Sequence, residues 1–162
     1  MIIHMNDTFA AAKELALKLL SSKRRSSGEL RKAIQERYNA DVASEIELWA
    51  KEYKFIDDAD YAKSFVFEKC NSLSKNYIYH TLTQRGVDLA AITKAFDEIA
   101  VDERKVLTKL FREALRGDYS KKNVLKIARS LARKGFEYED IESLVYEYAK
   151  DDETERTIDF EI

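Results

Sequence analysis

The chain has 162 residues, of which 45% are hydrophobic and 36% charged, and its formal net charge is −2. It contains no proline and only four glycines, which disfavours a sheet protein with many tight turns. No apolar run approaches the roughly 20 residues that span a bilayer, and the single cysteine, Cys70, excludes an intrachain disulfide. We therefore expect a helical, cytoplasmic protein with no membrane contact.

The small net charge conceals four segments of different sign. Residues 1–56 carry 10 Lys/Arg and 8 Asp/Glu, residues 57–103 carry 5 and 9, residues 104–150 carry 12 and 7, and residues 151–162 carry 1 and 6. The third segment is therefore strongly basic and the last strongly acidic. Such segregation indicates separate surfaces for partners of different charge.

Three helices are predicted within residues 1–56. The apolar face of the first helix is formed by Phe9, Ala12, Ala16, Leu19 and Leu20. Ser26 and Glu29 have the spacing of a capping box that opens the second helix. Asp41 is predicted to cap the third.

The next two segments follow the same plan. In residues 57–103 the predicted caps of the three helices are Asp57 or Asp58, Ser74 and Asp88, and in residues 104–150 Ser120 opens the middle helix. Each middle helix ends at a glycine, Gly86 or Gly135, since glycine adopts the left-handed conformation without strain. The residues predicted to be buried include Leu82, Ile92, Leu131 and Ile141.

A helical pattern repeats along the chain. The clearest copies, residues 78–92 and 127–141, are offset by 49 residues, and a degenerate copy containing Leu30, Ile34 and Tyr38 lies 48 residues upstream. A fixed period of this length is typical of a stacked array. The predicted fold is all-α, with three tandem three-helix repeats (1–56, 57–103 and 104–150) forming an elongated, curved array, followed by an acidic C-terminal tail (151–162). Such arrays usually offer extended outer surfaces for macromolecular partners.

Two basic stripes run opposite the apolar faces of the last repeat. Their members recur at i, i+4, i+7 and i+11, and they are Lys105, Lys109, Arg112 and Arg116 on one helix and Lys122, Lys126, Arg129 and Arg133 on the next. With Lys23, Arg24 and Arg25 they form the candidate partner-binding set. Eight like charges on two neighbouring helices would attract phosphates or an acidic protein face. The alternative is a solvated, charged helix surface.

The sequence offers no catalytic, cofactor or metal site. His4 and His80 are far apart in sequence and outside any metal-ligand spacing, Cys70 has no candidate triad around it, and no glycine-rich phosphate loop is present. A helix-turn-helix DNA reader is also disfavoured, because the helices at residues 88–91 and 137–140 begin with acidic or apolar residues. We therefore expect a non-enzymatic protein that has neither a cofactor nor a small-molecule substrate.

Several segments of the chain resemble the signatures of one known protein family. The family's opening signature is similar to Ala16-Leu17-Lys18-Leu19-Leu20, Arg24-Arg25-Ser26 and Glu29-Leu30-Arg31. Its junction into the second unit is similar to Phe55-Ile56-Asp57-Asp58 and Tyr61-Ala62. Its helix ends are similar to Leu82-Thr-Gln-Arg-Gly86-Val87 and Leu131-Ala-Arg-Lys-Gly135-Phe136. Together these segments resemble the RecX family of regulatory proteins over about residues 9–149. The first repeat departs from the family pattern where Tyr38-Asn39 replaces a glycine-apolar pair.

This resemblance implies three tandem three-helix units and a cytoplasmic modulator of RecA recombinase. Such proteins lie in the helical groove of the RecA–DNA filament and restrain strand exchange, coprotease activity and ATP turnover, which would connect the chain to recombination, DNA repair and the SOS response. The family has no cofactor and no active site to carry over. We expect a monomer whose partner is RecA in its DNA filament. The alternatives are a helical-repeat adaptor for another protein and a module with weak, nonspecific DNA contact.

Overall fold

A computed structural model describes residues 2–151. These residues contain nine α-helices and no strand. The helices are α1 (Ile2–Ser22), α2 (Ser27–Gln35), α3 (Ala40–Glu52), α4 (Asp58–Lys69), α5 (Lys75–Gln84), α6 (Leu89–Ile99), α7 (Glu103–Leu115), α8 (Lys121–Arg133) and α9 (Tyr138–Asp151). The all-α prediction is confirmed. No described helix is both long and apolar enough to cross a bilayer.

The predicted capping residues account for most helix starts. Ser26 and Glu29 form a complete capping box, and Ser120 accepts the backbone N–H of Asn123 at the start of α8. Asp57 rather than Asp58 caps α4, because its Oδ1 lies 2.9 Å from the amide nitrogen of Asp60. The remaining predicted caps are Ser74 and Asp88. Their side-chain oxygens accept hydrogen bonds from the backbone N–H groups of Tyr77 and Ala91.

The predicted cap of α3 is wrong. Asn39, not Asp41, is the N-cap, and its side-chain oxygen lies 2.9 Å from the backbone nitrogen of Val42. Asp41 instead occupies the first turn, where a negative charge still favours the helix dipole. Both residue types cap well, so the sequence pattern alone left the start of this helix ambiguous by two residues.

The described chain forms two compact units. The first comprises residues up to Phe67 together with Tyr79–Ile99. Within it α1, α2 and α3 pack on one another, and their shared core is formed by Ala12, Ala16, Leu30, Ile34, Ala43, Ile46, Ala50 and Ile56. The predicted burial of Leu82 and Ile92 in this unit is confirmed.

The second unit comprises Glu68–Ile78 and the described residues from Ala100 onward. Helices α7, α8 and α9 pack on one another around Leu107, Phe111, Val124, Ile127, Leu131, Ile141 and Leu144. Leu131 and Ile141 are buried as predicted. The division into repeats 1–56, 57–103 and 104–150 stays a prediction, and residues 152–162 of the tail lie outside the described residues.

The two glycine helix stops are confirmed. Gly86 and Gly135 have φ values of 72° and 87°. After α5 the amide of Gly86 donates to Thr83 and that of Val87 to Leu82, and after α8 Gly135 and Phe136 donate to the carbonyls of Ala132 and Leu131. These paired bonds satisfy carbonyls that a helix end would otherwise leave without partners.

Each of these helix ends also receives the N-terminus of another helix within the same compact unit. In the first unit the Ser26 hydroxyl donates to the carbonyl oxygen of Arg85. In the second, the backbone N–H of Ser74 donates to the carbonyl of Lys134 over 3.1 Å. The two serines, Ser26 and Ser74, are 48 residues apart, and the two residues whose carbonyls accept, Arg85 and Lys134, are 49 apart. The two junctions therefore match the period of the sequence repeat.

Candidate interaction surface

The basic stripe of α7 faces away from the core of its unit. The core side of this helix carries Val106, Leu107, Phe111 and Leu115, and the stripe residues Lys105, Lys109, Arg112 and Arg116 are all exposed. At about 100° per residue Lys105, Lys109 and Arg112 lie opposite that core face. Helix α7 therefore offers three cationic side chains along one exposed line. Arg116, predicted as the fourth, lies just past the helix end, where it is the C-cap with a left-handed backbone (φ 48°).

Arg112 is held by a second helix. Its Nε donates to the hydroxyl of Tyr148, and its guanidinium carbon lies 5.6 Å from the centre of the Tyr148 ring. The same ring packs 5.2 Å from that of Phe111. The hydrogen bond to Tyr148 raises the pKa of Arg112 above its usual value. Arg112 is thus a positioned charge that connects α7 to α9.

The stripe of α8 has the same arrangement. Its four residues, Lys122, Lys126, Arg129 and Arg133, are exposed, whereas Val124, Ile127, Ala128 and Leu131 are buried on the opposite side. Within the described part of the chain neither Arg116 nor any member of the α8 stripe makes an ion pair. Lys109 is 4.0 Å from Glu113. No described acidic side chain therefore neutralises Arg116 or the four cations of α8.

A groove of about 520 Å³ runs between α7 and α8. Leu110, Ala114, Ile127 and Leu131 contribute apolar atoms to its lining, and Arg116, Lys126 and Lys134 contribute positive charge. Glu113 is the acidic residue of the lining. The structure thus brings one member of each predicted stripe, Arg116 and Lys126, to one groove whose lining is both polar and apolar.

The basic residues before α2, which are Lys23, Arg24 and Arg25, have a different environment from the two stripes. The guanidinium of Arg24 pairs with Asp60 and donates to the hydroxyl of Ser64 over 3.0 Å. Arg25 donates to the carbonyl of Leu19 over 3.4 Å, and Lys23 is exposed. Arg24 therefore ties the segment before α2 to α4, in addition to any contact with a partner.

Sequence reasoning missed several buried and partly buried polar contacts near Arg24. Both Oδ atoms of Asp58 accept from Ser27, one from its amide nitrogen at 2.8 Å and one from its hydroxyl. Arg85 donates to the hydroxyl of Tyr61 over 2.7 Å, and Tyr61 donates to Glu29. Burial raises the pKa of Tyr61, and the negative charge of Glu29 adds to this. These contacts join residues more than 20 positions apart, so helical periodicity contains no signal for them.

The residues considered for catalysis have different environments. Cys70 is buried and His80 is exposed on α5, and His4 lies where side chains are not described. Across residues 7–148, whose side chains the structure describes, no group of three or more His, Cys, Asp or Glu residues is placed to hold a metal ion. Of Asp57, Asp58 and Asp60, one caps α4, one binds Ser27 and one pairs with Arg24.

Known proteins similar to this chain share one description. No protein-family model matches it. It is 34% identical over 134 residues to the regulatory protein RecX of Caldanaerobacter subterraneus subsp. tengcongensis, an alignment that covers 81% of this chain and 67% of that protein. It is 29% identical over 166 residues to the regulatory protein RecX of Oceanobacillus iheyensis, covering 96% and 60%. The chain thus spans only about three fifths of the second relative's length.

Solved structures show the same fold. A crystal structure of RecX from Lactobacillus salivarius superposes with a TM-score of 0.70 at 24% sequence identity, covering 90% of this chain and 99% of that one. A second crystal structure, of a regulatory protein RecX, gives a TM-score of 0.69 at 24% identity and covers 93% of this chain.

Proposed function

Since this chain belongs to the RecX family of regulatory proteins, we propose that it binds the RecA–DNA filament and inhibits the recombinase, ATPase and coprotease activities of RecA. It does so as a non-enzymatic, monomeric protein of the cytoplasm that needs no cofactor. Family membership supports the regulatory role, and the partner is the one that the resemblance implies.

The observation that carries the proposal is the exposed cationic surface of α7 and α8. Its side chains point away from a well-packed core, and Arg116, Lys126, Arg129 and Arg133 have no ion-pair partner among the described residues. A nucleoprotein filament carries closely spaced phosphates, so a basic helical surface is drawn to its groove by a long-range field. The charge pattern favours a macromolecular anion over a small substrate.

Nonspecific DNA binding is the second candidate, because the same cations could contact phosphates directly. The two candidates differ in their need for RecA. A DNA-binding module would bind bare DNA with an affinity that falls steeply with salt. A filament regulator would require RecA, since complementary protein faces contribute specificity.

The decisive experiment is a titration of the protein into preassembled RecA–DNA filaments while ATP hydrolysis is followed. We expect ATP turnover to fall as the protein is added, and bare DNA to bind much more weakly at the same salt concentration. An unchanged hydrolysis rate, with the protein absent from sedimented filaments, would reject the proposal in favour of an adaptor for another partner. Equal binding to bare DNA and filaments would favour the DNA-binding module.

A further inference from the structure

The lining of the α7–α8 groove combines apolar with cationic side chains. Leu110 and Ala114 of α7 and Ile127 of α8 line it together with Arg116 and Lys126. Ala114 is exposed and Leu110 half-buried, so part of the apolar lining is open to solvent. A matching ligand would carry apolar side chains together with several negative charges.

The chain itself contains such a segment. Its acidic tail (151–162) reads Asp-Asp-Glu-Thr-Glu-Arg-Thr-Ile-Asp-Phe-Glu-Ile, with six acidic residues and one basic residue. From position 158 onward apolar and acidic residues alternate. In an extended conformation this alternation would place Ile158, Phe160 and Ile162 on one face and Asp159 and Glu161 on the other. The apolar face would suit the apolar lining residues Leu110, Ala114 and Ile127, and the long side chains of Arg116 and Lys126 would reach the carboxylates.

The tail begins close enough to reach the groove. Helix α9 ends at Asp151, and its last turns lie against α7, where Tyr148 contacts Arg112 and Glu147 pairs with Arg104 over 2.6 Å. Eleven further residues can extend over roughly 36–40 Å. Passing around α7, whose diameter is about 10–12 Å, uses only part of that length.

We propose that the acidic tail docks in the α7–α8 groove of its own chain and competes there with the negatively charged partner. Because the tail is tethered, its effective concentration is in the millimolar range, so a docking affinity too weak for a free peptide still keeps the groove substantially occupied. The basic surface is then released only to a partner with higher charge density. The docking is independent of the proposed function, whereas the competition rests on it.

Disulfide trapping in the full-length chain tests the docking directly. Cys70 is replaced by Ala, and Thr157→Cys, next to the apolar-acidic segment, is combined with Ala114→Cys in the groove. The matched control combines Thr157→Cys with Ala132→Cys, an exposed alanine of the same unit that does not line the groove. In a mild oxidising buffer we expect an intrachain disulfide to form at least about tenfold faster with Ala114→Cys than with Ala132→Cys, because docking raises the local concentration.

The charge contribution is tested in the same cysteine background. Arg116→Glu with Lys126→Glu, or Phe160→Ser alone, should return the rate to that of the Ala132→Cys control. The charge-matched control, Lys18→Glu with Lys94→Glu, should leave it unchanged. Equal rates for the two cysteine pairs would overturn the docking. So would a disulfide that forms only between two chains, since the occupant would then be the tail of a second copy.

The RecA experiment separates the two proposals. A full-length variant with Asp159→Asn, Phe160→Ser and Glu161→Gln should inhibit RecA-catalysed ATP hydrolysis at a several-fold lower concentration than the parent. If disulfide trapping succeeds and parent and variant inhibit equally, the competition is rejected. If trapping succeeds and neither protein affects RecA, the filament function fails while the docking stands.

Discussion

Gly28 and Gly86 lie in backbone contact although 58 residues separate them. A Cβ atom on Gly28 would lie 2.5 Å from the Cα of Gly86, and one on Gly86 would lie 2.6 Å from the Cα of Gly28. The first turn of α2 therefore rests directly on the end of α5. Gly135 is equally crowded in the second unit, where a Cβ would lie 2.5 Å from the Ser74 hydroxyl oxygen. Both junctions depend on the absence of a side chain.

The Gly28 contact predicts whether Gly28→Ala raises or lowers the free energy of unfolding. Gly28 has no positive φ, so on helix propensity alone Gly28→Ala should stabilise the protein by about 1 kcal/mol. Because the added methyl group would overlap the backbone of Gly86, we expect Gly28→Ala to lower the free energy of unfolding instead. Urea titration monitored by circular dichroism measures this sign. A stabilised variant would contradict the close approach.

Gly86 and Gly117 form a matched pair for the same contact. Both have positive φ, at 72° and 81°, but nothing lies within 4 Å of a Cβ on Gly117. Gly117→Ala should therefore cost only the strain of a left-handed residue, about 1–2 kcal/mol. Gly86→Ala should cost clearly more, because it adds backbone overlap to that strain. Equal thermal midpoints for the two variants would rule out the steric role of Gly86.

Leu131 tests the packing of the second unit. It is 3% exposed within the core of α7, α8 and α9, so Leu131→Ala should reduce the free energy of unfolding by about 2–5 kcal/mol. Leu89, which is 59% exposed at the start of α6, is the control, and Leu89→Ala should change stability by less than about 0.5 kcal/mol. Similar thermal midpoints for both variants would contradict the assignment of the core.

Asp58 is predicted to matter more for stability than its acidic neighbour. Removing its carboxylate leaves the buried N–H and hydroxyl of Ser27 without an acceptor, so Asp58→Ala should cost about 1–3 kcal/mol. Asp60→Ala breaks only an exposed ion pair with Arg24 and should cost about 1 kcal/mol or less. Chemical denaturation of the two variants measures the difference. A larger loss for Asp60→Ala would show that the buried contact is not the stronger link.

The exposed ion pair of Lys63 and Glu98 is expected to stabilise the folded protein only within a window of pH. The Lys63 ammonium lies 2.7 Å from Glu98 and lowers the pKa of that carboxyl, while Glu98 raises the pKa of Lys63. The contribution of Glu98 is therefore present above the usual carboxyl pKa of 4.5 and lost as pH falls through the lower folded value. That of Lys63 is present below 10.5 and lost as pH rises through the higher folded value.

We accordingly expect Glu98→Gln to have a lower thermal midpoint than the parent at neutral pH. The difference should shrink at both acidic and strongly alkaline pH and should decrease with added salt. Thermal melts of the two proteins over this range measure it. A difference that persists unchanged at acidic pH would mean that the carboxylate charge is not responsible.

Charge reversal tests the basic surface. Replacing Arg112, Arg116, Arg129 and Arg133 by Glu should weaken binding to RecA–DNA filaments and flatten its salt dependence, with helical content retained. Single changes should each weaken binding only slightly, because solvent screens exposed charges. The control reverses Lys18, Lys32, Arg37 and Lys94, which are equally exposed and lie outside the stripes. Equal inhibition of ATP hydrolysis by both quadruple variants would show that the stripes do not mediate docking.

Within that set Arg112 should behave differently from Arg116. Arg112 is held by Tyr148, so Tyr148→Phe removes the hydroxyl acceptor and keeps the ring that packs against Phe111. Because this hydrogen bond positions Arg112, Tyr148→Phe should weaken filament binding while the thermal midpoint changes little. Filament co-sedimentation and thermal melts of the same samples separate the two effects.

Local sequence determined the helices and their ends. Three kinds of sequence signal act within one or two helical turns, so they can be recognised in the sequence directly. They are the apolar spacing around Leu82 and Leu131, the capping box of Ser26 and Glu29, and the glycines at 86 and 135. The same periodicity predicted which faces are exposed, and so the two basic stripes. The start of α3 was missed because Asn39 and Asp41 compete as caps on nearly equal terms.

Only the tertiary structure decided what each polar residue contacts. In the folded chain Asp57 caps α4 and Asp58 accepts hydrogen bonds from Ser27. Arg24 pairs with Asp60, and Arg112 donates to Tyr148. Arg116 and Lys126 line one groove. The close approach of Gly28 to Gly86 likewise joins two segments that helical periodicity treats as independent. Such contacts depend on how helices distant in sequence pack, and the local pattern of a helix specifies which side is buried but not which side chain of another helix it meets.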